Sequence, residues 1–541
     1  MNAHDTARSL RADPDAAVRY RAAGWWGDRT LSDHVAALAA DRPDAPAWIT
    51  PDGRYSWRQY DRAAARIAGL IAAHGLPHGA RVAVLLPDGP AVHAALLGVE
   101  RAGTVAVGIG ARAGLAEIAH LLKRTGATLL IAHERMRERA LDELLVALRA
   151  DGAPVESVLA VPDLIADPAW CDAPPPAHPA LPAGDPDALF LINSTSGTTG
   201  MPKCVMHTQN RWFYFHRLAA EAGRLGADEV FMGAVPMPFG FGLWTSHFSP
   251  AVLGCPTVVL PKFDAGTALD LIERERVTVL CCVSTQFIML LNEQAERPRD
   301  LSSLRAMFTG GEAVPYRRAA EFEEVTGAAV LQFYGSNETG ALSRTTADDT
   351  RERRLTTAGR LIPEMEVRLF DPVTGDDVQG RGQPACRGPA TCLGYWDDDA
   401  ANAQLFTADG WMLMGDIVEV DADDYLRVVG RTSEFIIRGG KNLSAPAIEA
   451  EVATHPAVAL CAAVPAPDPV FGERVCIYVT PRPNHALTLD AITQHLSARG
   501  VSREWFPERL VLMEELPRSS GGKVAKGVLT EDARQRWAMP A

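Results

Sequence analysis

The segment from Ser194 to Lys203 has the residue types of a phosphate-binding loop. It reads STSGTTGMPK and follows the apolar stretch Leu189–Ile192, which predicts a β-strand. Small hydroxyl residues and glycines let backbone N–H groups face an oxygen-rich anion, and Lys203 adds positive charge at the end. A Ser/Thr/Gly-rich turn that binds nothing is the alternative interpretation. The segment is not a Walker loop, because two residues separate Gly200 from the lysine.

The chain lacks the motifs of three competing enzyme classes. The chain contains no G-x-S-x-G elbow, which disfavours an α/β-hydrolase. It contains no H-E-x-x-H zinc motif. Gly108 and Gly110 are followed by Gly114, one residue too far along for the dinucleotide fingerprint.

The loop resembles the signature T/S-S-G-T-T-G-x-P-K of the adenylate-forming enzymes, which include acyl-CoA synthetases, adenylation domains and luciferases. Four further segments match in the family's order, so the resemblance extends over nearly the whole chain. It implies ATP-dependent activation of a carboxylic acid as an acyl-adenylate, followed by thioester formation with coenzyme A. It implies a catalytic contact from Lys203 and ATP contacts from six loop residues: Thr195, Ser196, Gly197, Thr198, Thr199 and Gly200.

Three further segments are implied to bind the nucleotide. Residues 334–339 (YGSNET) are similar to the family's Y-G-x-T-E, in which the glutamate supports the Mg²⁺ bound to ATP. A hard cation with oxygen ligands suits a carboxylate, and Asn337 stands in place of the usual threonine. From this segment, Tyr334, Gly335, Asn337 and Glu338 are the implied nucleotide and metal contacts.

The segment FTGGEA resembles the family's adenine-binding segment, which implies adenine contacts from Gly311 and Glu312. The resemblance also implies that Asp416 binds the ribose and that Arg431 lies near ribose and phosphate.

The C-terminal part supplies the remaining implied catalytic groups. Residues 517–523 (PRSSGGK) resemble the family's P-x-x-x-x-G-K motif, so Lys523 is expected to contact the attacking carboxylate and the α-phosphate. The turn containing Arg438, Gly439 and Gly440 is expected to line the coenzyme A tunnel after the small domain rotates. Ser433 stands at the hinge, where relatives carry Asp or Lys.

The segment Met237–Trp244 occupies the place where relatives line the acyl pocket. Phe239, Phe241 and Trp244 indicate an apolar acyl group, flat or ring-shaped, although an ordinary aromatic core would use the same residues. The chain resembles ligases of cyclic carboxylates, so cyclohexanecarboxylate or an aryl acid is the expected kind of substrate. A medium-chain acid is also compatible.

Alternating strand and helix patterns must position these groups. The apolar runs at 81–87, 104–110, 128–132, 277–283 and 328–333 predict strands, and helical patterns at Ala91–Ala102 and Leu115–Arg124 separate the first three. This order predicts an α/β fold with parallel sheet and layered helices. The pattern changes near Arg431, which predicts a large N-terminal domain (1–430) and a small, mobile α+β C-terminal domain (431–541).

Composition limits the partners. The net charge is −14, and an acidic surface repels nucleic acid. Residues 231–261 contain no Asp, Glu, Lys or Arg, but five prolines interrupt them, so buried strands and turns are expected rather than a membrane helix. The nine cysteines predict reduced thiols in a cytoplasmic enzyme. The expected partners are a small carboxylic acid, ATP, Mg²⁺ and coenzyme A, and a homodimer is compatible with the chain.

Two other functions use the same features. One is a stand-alone adenylating enzyme that loads an acyl or aryl acid onto a carrier protein. The other is a non-catalytic nucleotide- or acyl-CoA-binding protein. Retention of Lys203, Glu338, Asp416, Arg431 and Lys523 disfavours the non-catalytic protein, because a decayed site would not need them.

Overall fold

A computed structural model describes most of the chain. The described residues are 14–136, 139–174, 180–194, 201–311, 314–372, 374–431, 435–438, 441–483, 485–518 and 524–537. Several predicted site residues lie outside these ranges: Thr195–Gly200, Glu312, Gly439, Gly440 and Lys523, together with the hinge residue Ser433.

Two largely parallel sheets form the centre of the fold. The first has the strand order Arg360–Leu361, Gly340–Arg344, Ala329–Ser336, Ala306–Gly310, Val279–Cys281, Phe231–Gly233, Thr257–Val259, Pro46–Ile49 and Arg54–Ser56. The second has the order Cys204–Thr208, Leu189–Ser194, Val105–Gly108, Arg81–Leu85, Leu129–Ala132 and Ser157–Ala160. Antiparallel pairing occurs only toward the edges of the two sheets, within the described residues.

Two antiparallel sheets follow. The third sheet contains Asp377–Val378, Glu366–Phe370, Arg381–Arg387, Asp416–Val420 and Leu426–Arg431, with Met412–Leu413 alongside. The fourth contains Lys441–Ser444, Phe435–Arg438, Gly472–Pro481 and Val458–Asp468, with Arg509–Leu512 added in parallel. A two-stranded ribbon joins Arg135–Met136 to Arg139–Ala140. The fourth sheet packs around apolar clusters of its own, separate from those of the parallel sheets.

Helices cover the sheets. The α-helices are Pro14–Ala22, Leu31–Asp41, Trp57–Ala73, Pro90–Arg101, Leu115–Thr125, Leu141–Ala150, Gln209–Gly223, Gly240–Gly242, Ser249–Leu253, Ala265–Glu275, Ser284–Glu296, Tyr316–Thr326, Arg351–Thr356, Asp399–Leu405, Ala445–Val452, Leu489–Ala498 and Lys526–Arg536. Short 3₁₀ turns occupy Pro168–Asp172 and Arg503–Trp505, and Leu243–Phe248 is a π-helix. None of the helices in the described ranges combines the length and the apolar character that a bilayer crossing requires.

Local signals explain two helices that pack against each other, one on the first sheet and one on the second. Ser56 and Gln59 form a capping box that begins the Trp57–Ala73 helix. This helix packs tightly on Pro90–Arg101, since a Cβ added at Gly98 would lie 2.6 Å from Ile67. The predicted α/β class and the five predicted strands are confirmed.

The prediction for residues 231–261 was partly wrong. Strands occupy both ends of this segment, but Gly240–Leu253 is helical instead of strands and turns. Pro250 does not break the helix because it lies in the first turn of Ser249–Leu253, where its missing N–H costs nothing. Gly254 then ends the helix in the left-handed conformation, with φ of 73°.

Candidate active site

Strands from both parallel sheets end at one place. Asn193, at the end of its strand in the second sheet, accepts a hydrogen bond from Asn337 Nδ2 at 2.7 Å. The Asn193 amide donates to the carbonyl of Pro238, which follows a strand of the first sheet, at 2.9 Å. A Cβ at Gly108 would lie 2.5 Å from Pro238. Carboxyl ends of parallel strands are where open α/β sheets bind ligands, so this shared edge is the candidate site.

The ends of the predicted phosphate loop lie at this edge. Ser194 pairs with Cys204 across two antiparallel strands, so the loop between them starts and ends beside Asn193. Pro202 accepts a hydrogen bond through its carbonyl from His120 Nε2 at 3.1 Å. Residues Thr195–Gly200 themselves lie outside the described residues, and Lys203 is the first predicted site residue after them.

Lys203 and Glu338 are linked through Tyr395. The Tyr395 hydroxyl donates to Glu338 Oε1 at 2.7 Å, and Lys203 Nζ lies 4.8 Å from the centre of the Tyr395 ring. Burial raises the pKa of Tyr395, so its hydroxyl stays protonated and acts as a donor. Segments 135 residues apart in sequence, at 203 and 338, thus meet around one tyrosine.

The donor set around Glu338 fits a cation held chiefly by phosphates. Tyr395 engages Oε1, and no hydrogen bond to Oε2 is formed by the described part of the chain. The described residues contain no group of three or more His, Cys, Asp or Glu side chains that could form a complete protein cage. Mg²⁺ commonly binds through one carboxylate together with substrate phosphates, and Glu338 can supply that carboxylate oxygen.

A buried arginine holds the backbone of the glutamate loop. Arg211 is 1% exposed, and its guanidinium donates to the carbonyls of Ala390 (2.8 Å), Asn337 (3.0 Å) and Glu338 (3.3 Å). Desolvation lowers the pKa of Arg211 to about 10, which still leaves it charged at neutral pH. The rigid, planar guanidinium of Arg211 therefore fixes the backbone of the loop that carries Glu338.

His207 completes this network. Its Nδ1 accepts from Arg211 at 2.5 Å, so its Nε2 carries the proton and donates to Asn193 Oδ1 at 2.7 Å. Complete burial, followed by the nearby Arg211 charge, lowers the pKa of His207 well below its usual value. We call Asn193, His207, Arg211 and Asn337, with Asp88 described below, the strand-edge cluster.

The segments predicted to contact ribose and adenine adjoin the same strands. Tyr334 donates from its hydroxyl to Asp416 Oδ2 at 2.9 Å, and Asp416 is only 7% exposed. Asp416 pairs along the backbone with Arg431 in the third sheet. Gly310 pairs with Phe333, next to Tyr334, and Gly311 has φ of 78°. A Cβ at Gly335 would clash with the Gly340 carbonyl, so this turn of the strand requires glycine.

The predicted acyl-pocket residues differ in burial. Phe239 and Phe241 are partly exposed at the start of the helical segment, whereas Trp244 is 2% exposed. Trp244 lies 5.5 Å from Phe241 and 5.3 Å from Phe308 between ring centres. The aromatic cluster therefore extends from the predicted acyl pocket to the strand that carries the adenine segment.

Polar side chains position the start of the acyl segment. Asp88 Oδ1 accepts from the Met237 backbone N–H at 2.7 Å, while Asn193 binds the next carbonyl. Desolvation raises the pKa of Asp88 to about 7. A Cβ at Gly240 would lie 2.9 Å from Asn337 Oδ1, so the acyl segment contacts the glutamate loop directly.

Arg438, the predicted coenzyme A contact, lies in an ionic cluster of the fourth sheet. It forms a two-pronged ion pair with Glu508 at 2.8 and 3.1 Å, and it stacks 4.8 Å over Phe471. Arg474 contacts Glu508 at 2.5 Å and also pairs with Asp468. We call Arg438, Asp468, Arg474 and Glu508 the C-terminal ion cluster.

Sequence reasoning missed five residues of this site: Asp88, Asn193, His207, Arg211 and Tyr395. Each is an isolated polar side chain in an apolar or mixed context, and no local spacing marks it. Their shared position follows from the register of Leu189–Ser194 with its neighbours and from hydrogen bonds between the two parallel sheets. The Asn193–Ser194 dipeptide at the strand end was the available signal, because polar residues there face the ligand edge.

Comparison with known proteins agrees with this geometry. The chain matches the AMP-binding enzyme family over residues 35–396 and the AMP-binding enzyme C-terminal domain over residues 447–523. It is 30% identical to the medium-chain fatty-acid–CoA ligase of Escherichia coli strain K12, over 96% of this chain and 93% of that protein. It is 31% identical to the indoleacetate–CoA ligase of Aromatoleum aromaticum, over 93% of this chain and 98% of that protein.

The fold is shared with a solved structure. The anthranilate CoA ligase AuaEII, bound to anthranoyl-AMP, superposes with a TM-score of 0.85 over 95% of this chain and 98% of that one, at 23% identity. The site and fold together define a nucleotide-dependent adenylating enzyme with a large N-terminal and a small C-terminal domain. The chain belongs to the AMP-binding enzyme family, and it is an ATP-dependent, AMP-forming carboxylate ligase of the acid–thiol ligase class.

Proposed function

We propose that this ligase joins an apolar monocarboxylic acid, with a ring or a medium-length chain, to coenzyme A. The observation that carries the proposal is the shared strand edge, where the Asn193–Asn337 hydrogen bond and the Pro238 contact bring nucleotide and acyl segments together. An acid held there would lie next to the α-phosphate of ATP, and this proximity is the main requirement of the first step.

In that first step, a carboxylate oxygen attacks the α-phosphorus, an acyl–phosphate bond forms, and pyrophosphate leaves. Lys203 and the 195–200 loop would contact the phosphates, Asp416 the ribose, and the Gly311–Glu312 segment the adenine. Glu338 would hold Mg²⁺, which neutralises phosphate charge when bound. Lys523 would stabilise the charge that develops between carboxylate and α-phosphate.

In the second step, the coenzyme A thiolate attacks the acyl carbon and AMP leaves. We propose that residues 431–541 form a mobile domain hinged near Ser433, and that its rotation replaces Lys523 with the Arg438–Gly440 turn. In the present arrangement Arg438 is paired with Glu508, so a contact with coenzyme A would require this side chain to exchange partners. The reduced cysteines and the ATP requirement fit a cytoplasmic enzyme.

The acyl class follows from the pocket's chemistry. No ionisable Asp, Glu, Lys or Arg occurs between Phe231 and Pro261, so this segment offers no counter-charge for a second carboxylate. Phe239, Phe241 and Trp244 supply apolar and flat surface instead. The two relatives above act, by name, on a medium-chain acid and on a ring-bearing acid.

Pyrophosphate release with a matched panel of acids tests this proposal. Cyclohexanecarboxylate, benzoate, an arylacetate and octanoate should support turnover, whereas a dicarboxylate should not. Preference for a long straight chain such as palmitate would contradict the acyl assignment. Thioester formation with free coenzyme A, in the absence of any carrier protein, separates the proposal from carrier-protein loading.

A further inference from the structure

The position of Tyr395 is determined by backbone contacts with the strand that follows Lys203. Tyr395 forms an antiparallel bridge with Val205, and Trp396 donates its N–H to the Cys204 carbonyl at 2.8 Å. On its other side, Asn402 accepts from the Tyr395 N–H and donates to its carbonyl, both at 2.8 Å. The tyrosine is therefore a fixed part of the strand edge, with 6% of its surface exposed.

The same short segment also holds the backbone of Glu338. Cys392, three residues before Tyr395, donates its N–H to the Glu338 carbonyl at 2.7 Å. The Tyr395 hydroxyl then binds Glu338 Oε1 at 2.7 Å. The segment from Cys392 to Tyr395 thus holds both the backbone and the side chain of Glu338. Because the hydrogen bond to Oε1 fixes the carboxylate group, it also fixes the direction of Oε2.

The Tyr395 ring has a second contact. Lys203 Nζ lies 4.8 Å from its centre, within the range of a cation–π interaction. This contact orients the lysine through the face of the ring, which carries no formal charge. One side chain therefore orients both a carboxylate and an ammonium group on the loops that flank the phosphate site.

We propose that Tyr395 is a positioning residue of the ligase reaction, whose hydroxyl orients Glu338 toward the metal and whose ring holds Lys203 toward the phosphates. This inference rests on the proposed roles of Glu338 and Lys203. Hydrogen-bond partners of metal-binding carboxylates typically change metal affinity about 10- to 100-fold when removed. The roles of the Tyr395 hydroxyl and ring can be separated by mutation. Phenylalanine retains the ring but lacks the hydroxyl, and leucine lacks both.

The test measures Mn²⁺ binding by electron paramagnetic resonance in the presence of α,β-methylene-ATP, which is not turned over. Tyr395→Phe should weaken Mn²⁺ binding about 10- to 100-fold, while metal-free nucleotide affinity changes little. Tyr395→Leu should also weaken nucleotide binding, by roughly 3- to 10-fold, since the cation–π contact is lost. In a Glu338→Ala background, Tyr395→Phe should have no further effect on Mn²⁺ binding.

Tyr478→Phe is the matched control, because Tyr478 donates to the carboxylate of Asp532 at 2.6 Å in the C-terminal unit. It should leave Mn²⁺ and nucleotide binding unchanged. Mn²⁺ affinity equal to wild type in Tyr395→Phe would overturn the inference alone, as would equal losses in Tyr395→Phe and Tyr478→Phe. Absence of nucleotide and Mn²⁺ binding by the wild-type enzyme would overturn the proposed function, and the inference with it.

Discussion

The strand-edge cluster and the C-terminal ion cluster both depend on arginine, but they pair it differently. Arg211 is buried and binds three backbone carbonyls and a neutral imidazole. Arg438 and Arg474 are partly exposed, with 25% and 29% of their side chains accessible, and they bind carboxylates. A carboxylate partner would cancel the charge of Arg211, whereas carbonyls accept its hydrogen bonds and leave its positive field beside the proposed phosphate site. The first cluster therefore fixes the loops of the candidate site, and the second pairs charges at the surface of the C-terminal unit.

Removing Arg211 should have the largest effect. Arg211→Met removes the donor to the carbonyls of Ala390 and Asn337 and to His207 Nδ1, at about 1 kcal/mol or more each. We expect the free energy of unfolding to fall by about 3 kcal/mol in urea denaturation. Arg211→Lys should be more stable than Arg211→Met but should still lose adenylation activity. The lysine ammonium lacks the planar arrangement of donors with which the guanidinium binds several carbonyls at once. Wild-type activity in Arg211→Lys would show that the planar donor is not needed.

Asn193→Ala should come next. It removes the acceptor shared by Asn337 and His207 and the donor to Pro238, while the fold around it keeps Arg211. We expect adenylation to fall about 10-fold or more, since one or two buried polar groups lose their partners at about 1–3 kcal/mol each. Acid-dependent exchange between ATP and pyrophosphate measures this loss. An equal loss for every acid in the panel, with unchanged KM values, would argue against a link to the acyl segment.

Arg474→Ala in the C-terminal ion cluster should have a smaller effect. Glu508 keeps its pair with Arg438, and partly exposed ion pairs contribute about 1 kcal/mol or less. We expect a modest decrease in melting temperature at low salt, and the difference from wild type should shrink at 1 M NaCl because salt screens such pairs. A decrease as large as that of Arg211→Met would contradict the distinction between the clusters.

The two clusters should also respond to pH with opposite sign. The pKa of Asp88 is about 7 in the folded protein against an ordinary 3.8, so the folded state binds more protons between these values, and stability should fall as pH rises from about 4 to 7. The pKa of Asp468 is lowered to about 2, first by its bond from Arg474, so stability should fall as pH drops from about 4 to 2. Denaturation titrations at different pH values check both assignments. Asp88→Asn should remove the pH dependence of stability between about pH 4 and 7, and Asp468→Asn should remove that between about pH 2 and 4.

Loss of the pH dependence in the range assigned to the other residue would contradict the assignment.

Most of the fold could be predicted from the sequence, because it rests on local patterns. Apolar runs at 81–87 and 128–132 became the strands Arg81–Leu85 and Leu129–Ala132. The helical segment Gly240–Leu253 could not be predicted, because most of it is buried, two glycines and a proline disfavour helix, and no charged face marks a 3.6-residue period. A buried helix and a buried strand look alike under those conditions.

The candidate site was predictable only in part. Glu338 and Asp416 lie in segments with a family signature, and the structure brings them to Tyr395 and Tyr334. Arg211 has no signature, since its role depends on carbonyls more than 120 residues away in sequence. Residues that act through such long-range contacts require the three-dimensional arrangement.

A crystal structure with α,β-methylene-ATP and Mg²⁺ would show directly whether the candidate site binds the nucleotide. We expect the triphosphate to lie between Lys203 and Glu338, with the ribose at Asp416 and the adenine against Gly311. A nucleotide bound elsewhere, or a triphosphate that contacts neither Lys203 nor Glu338, would contradict it.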